Sequence, residues 1–362
     1  MNIVPLHVYF WMSLASLPIS KQNALISHCA SAELVWEDFY RDSAIKSIVG
    51  DKYELLNQYR DESLLNSRLD KLTAKGIQIV DITSKAYPYT LKHIFDPPNL
   101  LYAMGDTSLL NSKCVAVVGT RHSTVYGKNT TLAFSKDLSE SGVTVVSGLA
   151  TGIDTYAHKA TILHSGKTIA VIAGGFDHIH PANNFQLSRD IASKGLLLSE
   201  YLPNVVPMQY MFVARNRIVA GMSSGIIVVE AGLKSGAKIT ANLGLEYGKT
   251  IYCVPGNINS PQSIGTNDLI KQGATLVTSG IEVATDLGFL STSSTQADIP
   301  IGPQLDMLEQ QVYDLIVQDG KVSLDVMIEK LNFGIRELNA MLLNMEINGV
   351  ISRLPNNMFS VL

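Results

Sequence analysis

The sequence predicts an α/β protein whose centre is a parallel sheet covered by helices on both faces. Three observations carry this. Short apolar runs at 115–118, 143–147, 168–173, 196–199, 226–230 and 251–254 alternate with helical stretches, the pattern of strand–helix–strand units. Glycines and polar residues collect just after those runs, in SGLATGIDTYAH (147–158), AGGFDHIHPANN (173–184), EAGLKSGAKITAN (230–242) and VPGNINSPQSIGTNDLI (254–270). Helical patterning precedes this region, and a helix, helix, helix, hairpin pattern follows it.

In chain order, residues 1–76 read as a helical domain. Asp51 and Glu54 have capping-box spacing, and Leu55, Leu56, Tyr59, Leu64, Leu65, Leu69 and Leu72 recur at near-helical intervals up to Gly76. The stretch LASLPISKQNALISHC resembles a helix-hairpin-helix in layout. It carries Pro18-Ile19-Ser20 where a glycine turn would grip a DNA backbone, so it reads as a packing or docking element. Strands follow at 77–82 and within NLLYAMG (99–105), with Tyr87-Pro88 and Asp96-Pro97-Pro98 punctuating the path between them. The central domain spans 77–290. Residues 291–304 are polar and proline-bearing, a linker. The last domain, 305–362, reads as a winged helix: helices at 305–318, 324–331 and 335–348, then a hairpin of 351–354 with 358–361 turning at Pro355-Asn356-Asn357.

The central stretch CVAVVGTRHSTVYG (114–127) joins a buried strand, a glycine turn and a helix start. The free N–H groups of a helix N-terminus attract anions, and Arg121 in the turn makes phosphate the natural ligand. Further strand-end residues gather with it: Gly119, Thr120, Ser147, Gly148, Arg215, Asn216, Arg217, Lys234, Ser235, Gly236 and Lys238. Ligands of parallel sheets bind beyond the carboxyl ends of the strands, so these residues predict a phosphate-tracking surface. Tyr126, Phe176, His178 and Phe212 are candidate stacking platforms for bases.

Composition sets the frame. The chain has 362 residues, 46% hydrophobic and 17% charged, which suits a folded globular protein. Cys29, Cys114 and Cys253 are far apart and odd in number, pointing to a reducing compartment. The apolar N-terminus has no Lys or Arg before Lys21 and is broken by Pro5 and Pro18, unlike a signal peptide, and no later run spans a membrane. The net charge of −4 equals that of residues 305–362 alone, where eight acids face four bases. The remainder is neutral and free to carry a local basic groove.

Several familiar sites are excluded by spacing. The glycines after 118 do not follow the dinucleotide pattern, and the second strand ends in Ser147-Gly148 with no acid for a ribose. Gly166-Lys167-Thr168 and Gly248-Lys249-Thr250 lack the upstream glycine of a P-loop and run from helix into strand. His178 and His180 lack further ligands for a metal. Asp154 and His158, one helical turn apart, read as a pair bracing the glycine loop.

The motifs VVGTRHSTVYG, SGLATGIDTYAH, LSEYLP, RNRIVAGMS, VVEAGLKSGAKITA and VPGNINSPQSIGTNDLIKQGA together resemble the DprA (Smf) family. The resemblance runs upstream through YPYTLKHIFDPPNLLYAMG and downstream into the tail. It implies an extended Rossmann-like core, a small N-terminal helical domain of SAM or helix-hairpin-helix type and a C-terminal winged helix. It implies a cytoplasmic homodimer that binds incoming single-stranded DNA in natural transformation, protects it, and helps load RecA past single-strand-binding protein. Neither enzymatic activity, cofactor nor metal is implied. Arg121, Arg215 to Arg217 and Lys234 to Gly236 fall on family motifs, and Ile264 and Leu269 fall where the family dimerises. Met211-Phe212-Val213-Ala214 lacks a basic residue that family members often carry, Lys238 is placed to restore it, and Ala182 stands where some members are basic. The acidic tail, with one arginine and two glutamates in 335–348, is expected to serve protein contacts rather than DNA. The alternative is a nucleotide-binding or phosphoribohydrolase-like Rossmann protein, although Glu230-Ala231-Gly232 lacks the glycine cluster of those hydrolases.

Overall fold

Helix α1 (Pro5–Leu14) is apolar on nearly every side and buries Val8 through Met12, as a helix without a polar face must. The computed structural model describes residues 3–290 and 306–361, apart from 332, 348–349 and 355–356. Trp11 is the pivot of α1. Its indole N–H donates to the Leu56 carbonyl at 2.7 Å, and its ring meets Trp36 and Phe39 edge-on, each at 5.1 Å. Around it pack α2 (Ile19–Cys29), α3 (Ala32–Glu37), α4 (Ser43–Val49), α5 (Tyr53–Tyr59) and α6 (Glu62–Ala74). The apolar stripe of residues 55–72 is split between α5 and α6, because Asp61 caps a new helix by accepting the Leu64 N–H at 3.0 Å. Asp51 lies in a 3₁₀ turn, and α5 starts without a side-chain cap, so the Asp51–Glu54 capping box does not form.

These helices share a core with the sheet. Trp11, Leu56 and Leu65 belong to one cluster with Tyr102, Ala170 and Leu197, and the Tyr102 hydroxyl lies 2.8 Å from Ser13 Oγ. One compact unit therefore covers residues 1–291 and a second covers 292–362.

The sheet has nine strands. They are β1 (Ile77–Asp81), β2 (Leu100–Gly105), β3 (Cys114–Val118), β4 (Thr144–Ser147), β5 (Thr168–Val171), β6 (Leu196–Ser199), β7 (Gly225–Val228), β8 (Thr250–Cys253) and β9 (Thr275–Leu276). Their order is β1-β2-β6-β5-β4-β3-β7-β8-β9. From β6 through β9 the pairs are parallel, whereas β1–β2 and β2–β6 are antiparallel. The chain leaves the central β3 in one direction through β4, β5 and β6, then returns to its other side with β7. That reversal opens a crevice at the carboxyl ends of β3, β4 and β7.

Helices α7 (Tyr89–Lys92), α8 (Val125–Glu140), α9 (Ile153–Leu163), α10 (Phe185–Lys194), α11 (Gln209–Met222), α12 (Gly236–Glu246), α13 (Ile264–Lys271) and α14 (Gly280–Asp286) cover the two faces. Phe134, Leu138, Ile153 and Val283 from α8, α9 and α14 pack on Val115, Val117 and Ile227. The opposite face receives Leu91, Ile218, Val219, Ala241 and Leu269 against Ala116, Val118 and Val228. No helix among the described residues is long and apolar enough to cross a membrane.

The second unit has α15 (Met307–Asp319), β10 (Val322–Ser323), α16 (Leu324–Leu331), α17 (Ile335–Ile347), β11 (Ile351–Leu354) and β12 (Met358–Val361). Its strands pair in the order β10-β12-β11 over a core of Val312, Ile316, Met327, Leu338, Ile351 and Phe359, the winged-helix pattern. A capping box of Asp306 and Glu309 starts α15. Arg336 and Glu337 are both exposed on α17. The expected linker at 291–304 and the turn residues Pro355 and Asn356 lie outside the described residues.

Candidate nucleic-acid interface

The loops after β3, β4 and β7 meet the N-terminal half of α11 around an open cavity of about 370 Å³. Gly119, Thr120, Arg121, Gly148, Arg215, Asn216, Lys234, Ser235 and Gly236 all line it. Of the expected contact residues, Ser147, Arg217 and Lys238 do not.

The loop after β3 is held against the sheet by its backbone. Thr120 N–H donates to the Glu230 carbonyl at 2.8 Å, and a Cβ on Gly119 would come within 2.5 Å of the Ile153 side chain. Only glycine permits that approach. Arg121 is left exposed at the tip. Its guanidinium lies 5.8 Å from the Phe212 ring, which meets His180 edge-on at 5.2 Å.

The start of α8 is not a free anion site, contrary to the expectation for 114–127. Glu230, 1% exposed, already fills it. Its carboxylate accepts the Thr124 N–H at 2.9 Å and the Thr124 hydroxyl at 2.5 Å. Gly127 makes room for this: a Cβ there would sit 2.1 Å from Glu230 Oε2. The positive end of α8 is thus neutralised from within the fold.

The loop after β4 is likewise filled by a carboxylate. Asp154 Oδ2 accepts the N–H groups of Gly148 at 3.1 Å and Ala150 at 3.3 Å. Burial pushes the Asp154 carboxyl up, opposed by the Arg215 charge and these N–H groups. Asp154 does brace the loop. His158 does not share that task; its Nδ1 pairs with Thr168 Oγ1 at 2.7 Å. Ser147 is internal too, donating its hydroxyl to the Val117 carbonyl at 2.7 Å and stitching β4 to β3.

His158 carries a pH prediction. Burial, and next the Arg215 charge, push its pKa from 6.5 down to about 3. A base depressed in the folded state adds stability above its unfolded pKa and loses it as pH falls toward the folded value. At about 1.4 kcal/mol per unit, about 5 kcal/mol is expected to disappear between pH 6.5 and pH 3. Urea melts of His158→Gln should show a flatter acid limb than the natural chain.

Helix α11 presents its two arginines in different directions, as residues two apart on a helix must. Arg215 is 5% exposed and lines the cavity; one guanidinium N–H donates to the Val171 carbonyl, and Nε has no partner among the described residues. Gly148 is flush against it, since a Cβ there would meet the guanidinium at 2.2 Å. Burial pushes the Arg215 pKa down to about 10, with Asp154 opposing the shift. Arg217 turns away from the cavity. It is 7% exposed and pairs with Glu200 at 2.5 Å and Asp96 at 3.2 Å.

The helix start that lines the cavity is that of α12, which carries a serine cap and no carboxylate. Ser235 Oγ accepts the Ala237 N–H at 3.3 Å, and Gly236 lies exposed at the cavity wall. Lys234 stands exposed beside it. Arg121 and Lys234 enter no ion pair among the described residues. Lys238 instead pairs with Asp268 at 2.7 Å, tying α12 to α13, so it does not restore a free charge to the cavity.

Among the aromatic candidates, Phe212 lines the cavity, Phe176 is buried, and Tyr126 is half exposed with its hydroxyl donating to the Pro255 carbonyl at 2.8 Å. His178 is exposed and forms no part of the cavity lining. Ile264 is 40% exposed, whereas Leu269, at 1%, is a core residue of this same chain. Sequence reading missed His180 and Glu230. In the linear sequence His180 suggests only a metal ligand, and Glu230 meets Thr124 only through the fold.

The profile of the family described as DNA recombination-mediator protein A matches residues 78–288, and that of the DprA winged helix domain matches 296–357. The DNA processing protein DprA of Bacillus subtilis is 44% identical over 59% of this chain and 72% of its own length. The crystal structure of Streptococcus pneumoniae DprA superposes with a TM-score of 0.69 at 34% identity, covering 79% of this chain and 99% of that one. DNA processing protein A of Helicobacter pylori, solved for insight into its single-stranded DNA binding mode, gives a TM-score of 0.53 at 34% identity over 58% of this chain and 95% of that one. The core profile spans more than half of the chain, and with these relatives it makes the protein a member of the DprA family.

Proposed function

We propose that this protein binds single-stranded DNA across the carboxyl ends of β3, β4 and β7 and acts as a recombination mediator. The observation that carries this reading is the ring of cations around one cavity, exposed Arg121 and Lys234 and buried Arg215, beside the N-terminus of α12. Two carboxylates fill the neighbouring backbone sites, which leaves this one for a phosphate. A phosphodiester bound there would place its base near Phe212, suiting sequence-tolerant recognition by stacking and charge. The binding mode studied for the H. pylori relative supports the same ligand class.

In the cell, this activity protects incoming strands during natural transformation and promotes RecA loading past single-strand-binding protein. The protein works in the cytoplasm as a homodimer, with Ile264 at the contact surface, and catalyses no reaction. The acidic winged helix serves protein contacts. Fluorescence anisotropy with a labelled poly-dT strand and a duplex of equal length tests the binding step. Tighter binding of the single strand is expected. Equal binding, or release of free base from nucleoside monophosphates, would favour a nucleotide-handling protein instead.

A further inference from the structure

We propose that His28, Cys29 and Asp42 form a site for a zinc-class divalent ion that ties the end of α2 to the start of α4. The imidazole Nε2, the thiol Sγ and a carboxylate oxygen all lie within 4.8 Å of one another. A tetrahedral ion bound at about 2.0–2.3 Å holds its ligand atoms roughly 3.3–3.8 Å apart, so small side-chain shifts suffice. His28 Nε2 and Asp42 Oδ2 now share a hydrogen bond at 2.6 Å, and that pair would open to admit the ion.

The surroundings suit a cation. Asp42 Oδ1 is fixed by the Ala44 N–H at 2.8 Å, which orients Oδ2 toward the site as an outer partner orients a metal ligand. Helix α2 ends at Cys29, so its negative end faces the same place. A mixed N, S and O donor set favours zinc or its transition-metal neighbours over calcium or magnesium. Three protein ligands leave a fourth position for water. No other group of three His, Cys, Asp or Glu side chains among the described residues comes together in this way. His28 and Cys29 are adjacent in sequence while Asp42 comes from the next corner, so linear spacing does not mark the site.

The full-length protein offers a direct readout. Cys114 and Cys253 are 2% and 0% exposed, so iodoacetamide under native conditions reports on Cys29 alone. Zinc chloride is expected to slow Cys29 alkylation by about tenfold or more, because a bound thiolate is no longer a free nucleophile. It should also raise the melting temperature. His28→Ala and Asp42→Asn should lose both effects; asparagine keeps the α4 cap, and melting without zinc reports that each variant is folded. Absence of protection in the natural chain, or protection retained in either folded variant, would overturn the proposal.

Discussion

Arg217→Met is expected to lower stability by about 3–5 kcal/mol, the usual cost of removing one partner from a buried ion pair, without changing how binding depends on salt. Arg217 is the main counter-charge of Glu200, whose Oε1 lacks a hydrogen-bond partner among the described residues. Burial pushes the Glu200 carboxyl up and Arg217 pulls it back, so the substitution moves it further up. A carboxyl raised in the folded state adds stability at low pH and loses it as pH rises through the folded value. The deficit should therefore be largest at neutral and alkaline pH and shrink on acidification. Urea melts at pH 5 and pH 8 check both the size and the sign. A variant as stable as the natural chain would mean that Arg217 is not the structural cation described here.

Arg215→Met should act mainly on binding. Arg215 stands two residues before Arg217 on α11, but it faces the cavity with Nε unpaired among the described residues and its pKa pushed down by burial. Arg215 also offsets the buried Asp154 charge through space, without an ion pair between them among the described residues, so replacing it with an apolar side chain of similar length is expected to cost about 1–2 kcal/mol, less than the loss of Arg217. Affinity for single-stranded DNA should fall about tenfold or more, since a charge-assisted hydrogen bond is worth about 1.5–3 kcal/mol. Unfolding and binding measured on the same preparation separate the two effects. The contrast between positions 215 and 217 is a stability-for-function exchange resolved within one helix turn. Loss of stability without loss of binding at 215 would assign Arg215 to the scaffold.

Much of this arrangement is legible in the sequence, and the illegible parts share one cause. Alternation of apolar runs with helical periods identifies the parallel strands, and the glycine-rich strand ends mark where the cavity lies. The antiparallel placement of β2 beside β6 is not legible, because strand neighbours far apart in sequence leave no local mark. The same holds for charges. Arg217 with Glu200, Lys238 with Asp268 and Thr124 with Glu230 are paired by the fold, so three residues that read as ligand contacts or an open helix end prove to be internally satisfied. Arg121 and Lys234 keep their exposure because their loops carry no acid placed to reach them. The N-terminal helices illustrate the limit of periodicity: their leucines identify an apolar stripe, but only Asp61 and its cap decide that the stripe is divided.

The central claim is that the cations around this cavity hold the phosphates of a single strand. Its most direct test is a salt titration of poly-dT binding by the natural chain, Arg121→Ala and Lys234→Ala. Each lost phosphate contact should weaken binding and flatten the slope of log K against log salt by about 0.7. Variants that match the natural chain in both affinity and slope would place the strand elsewhere on the molecule.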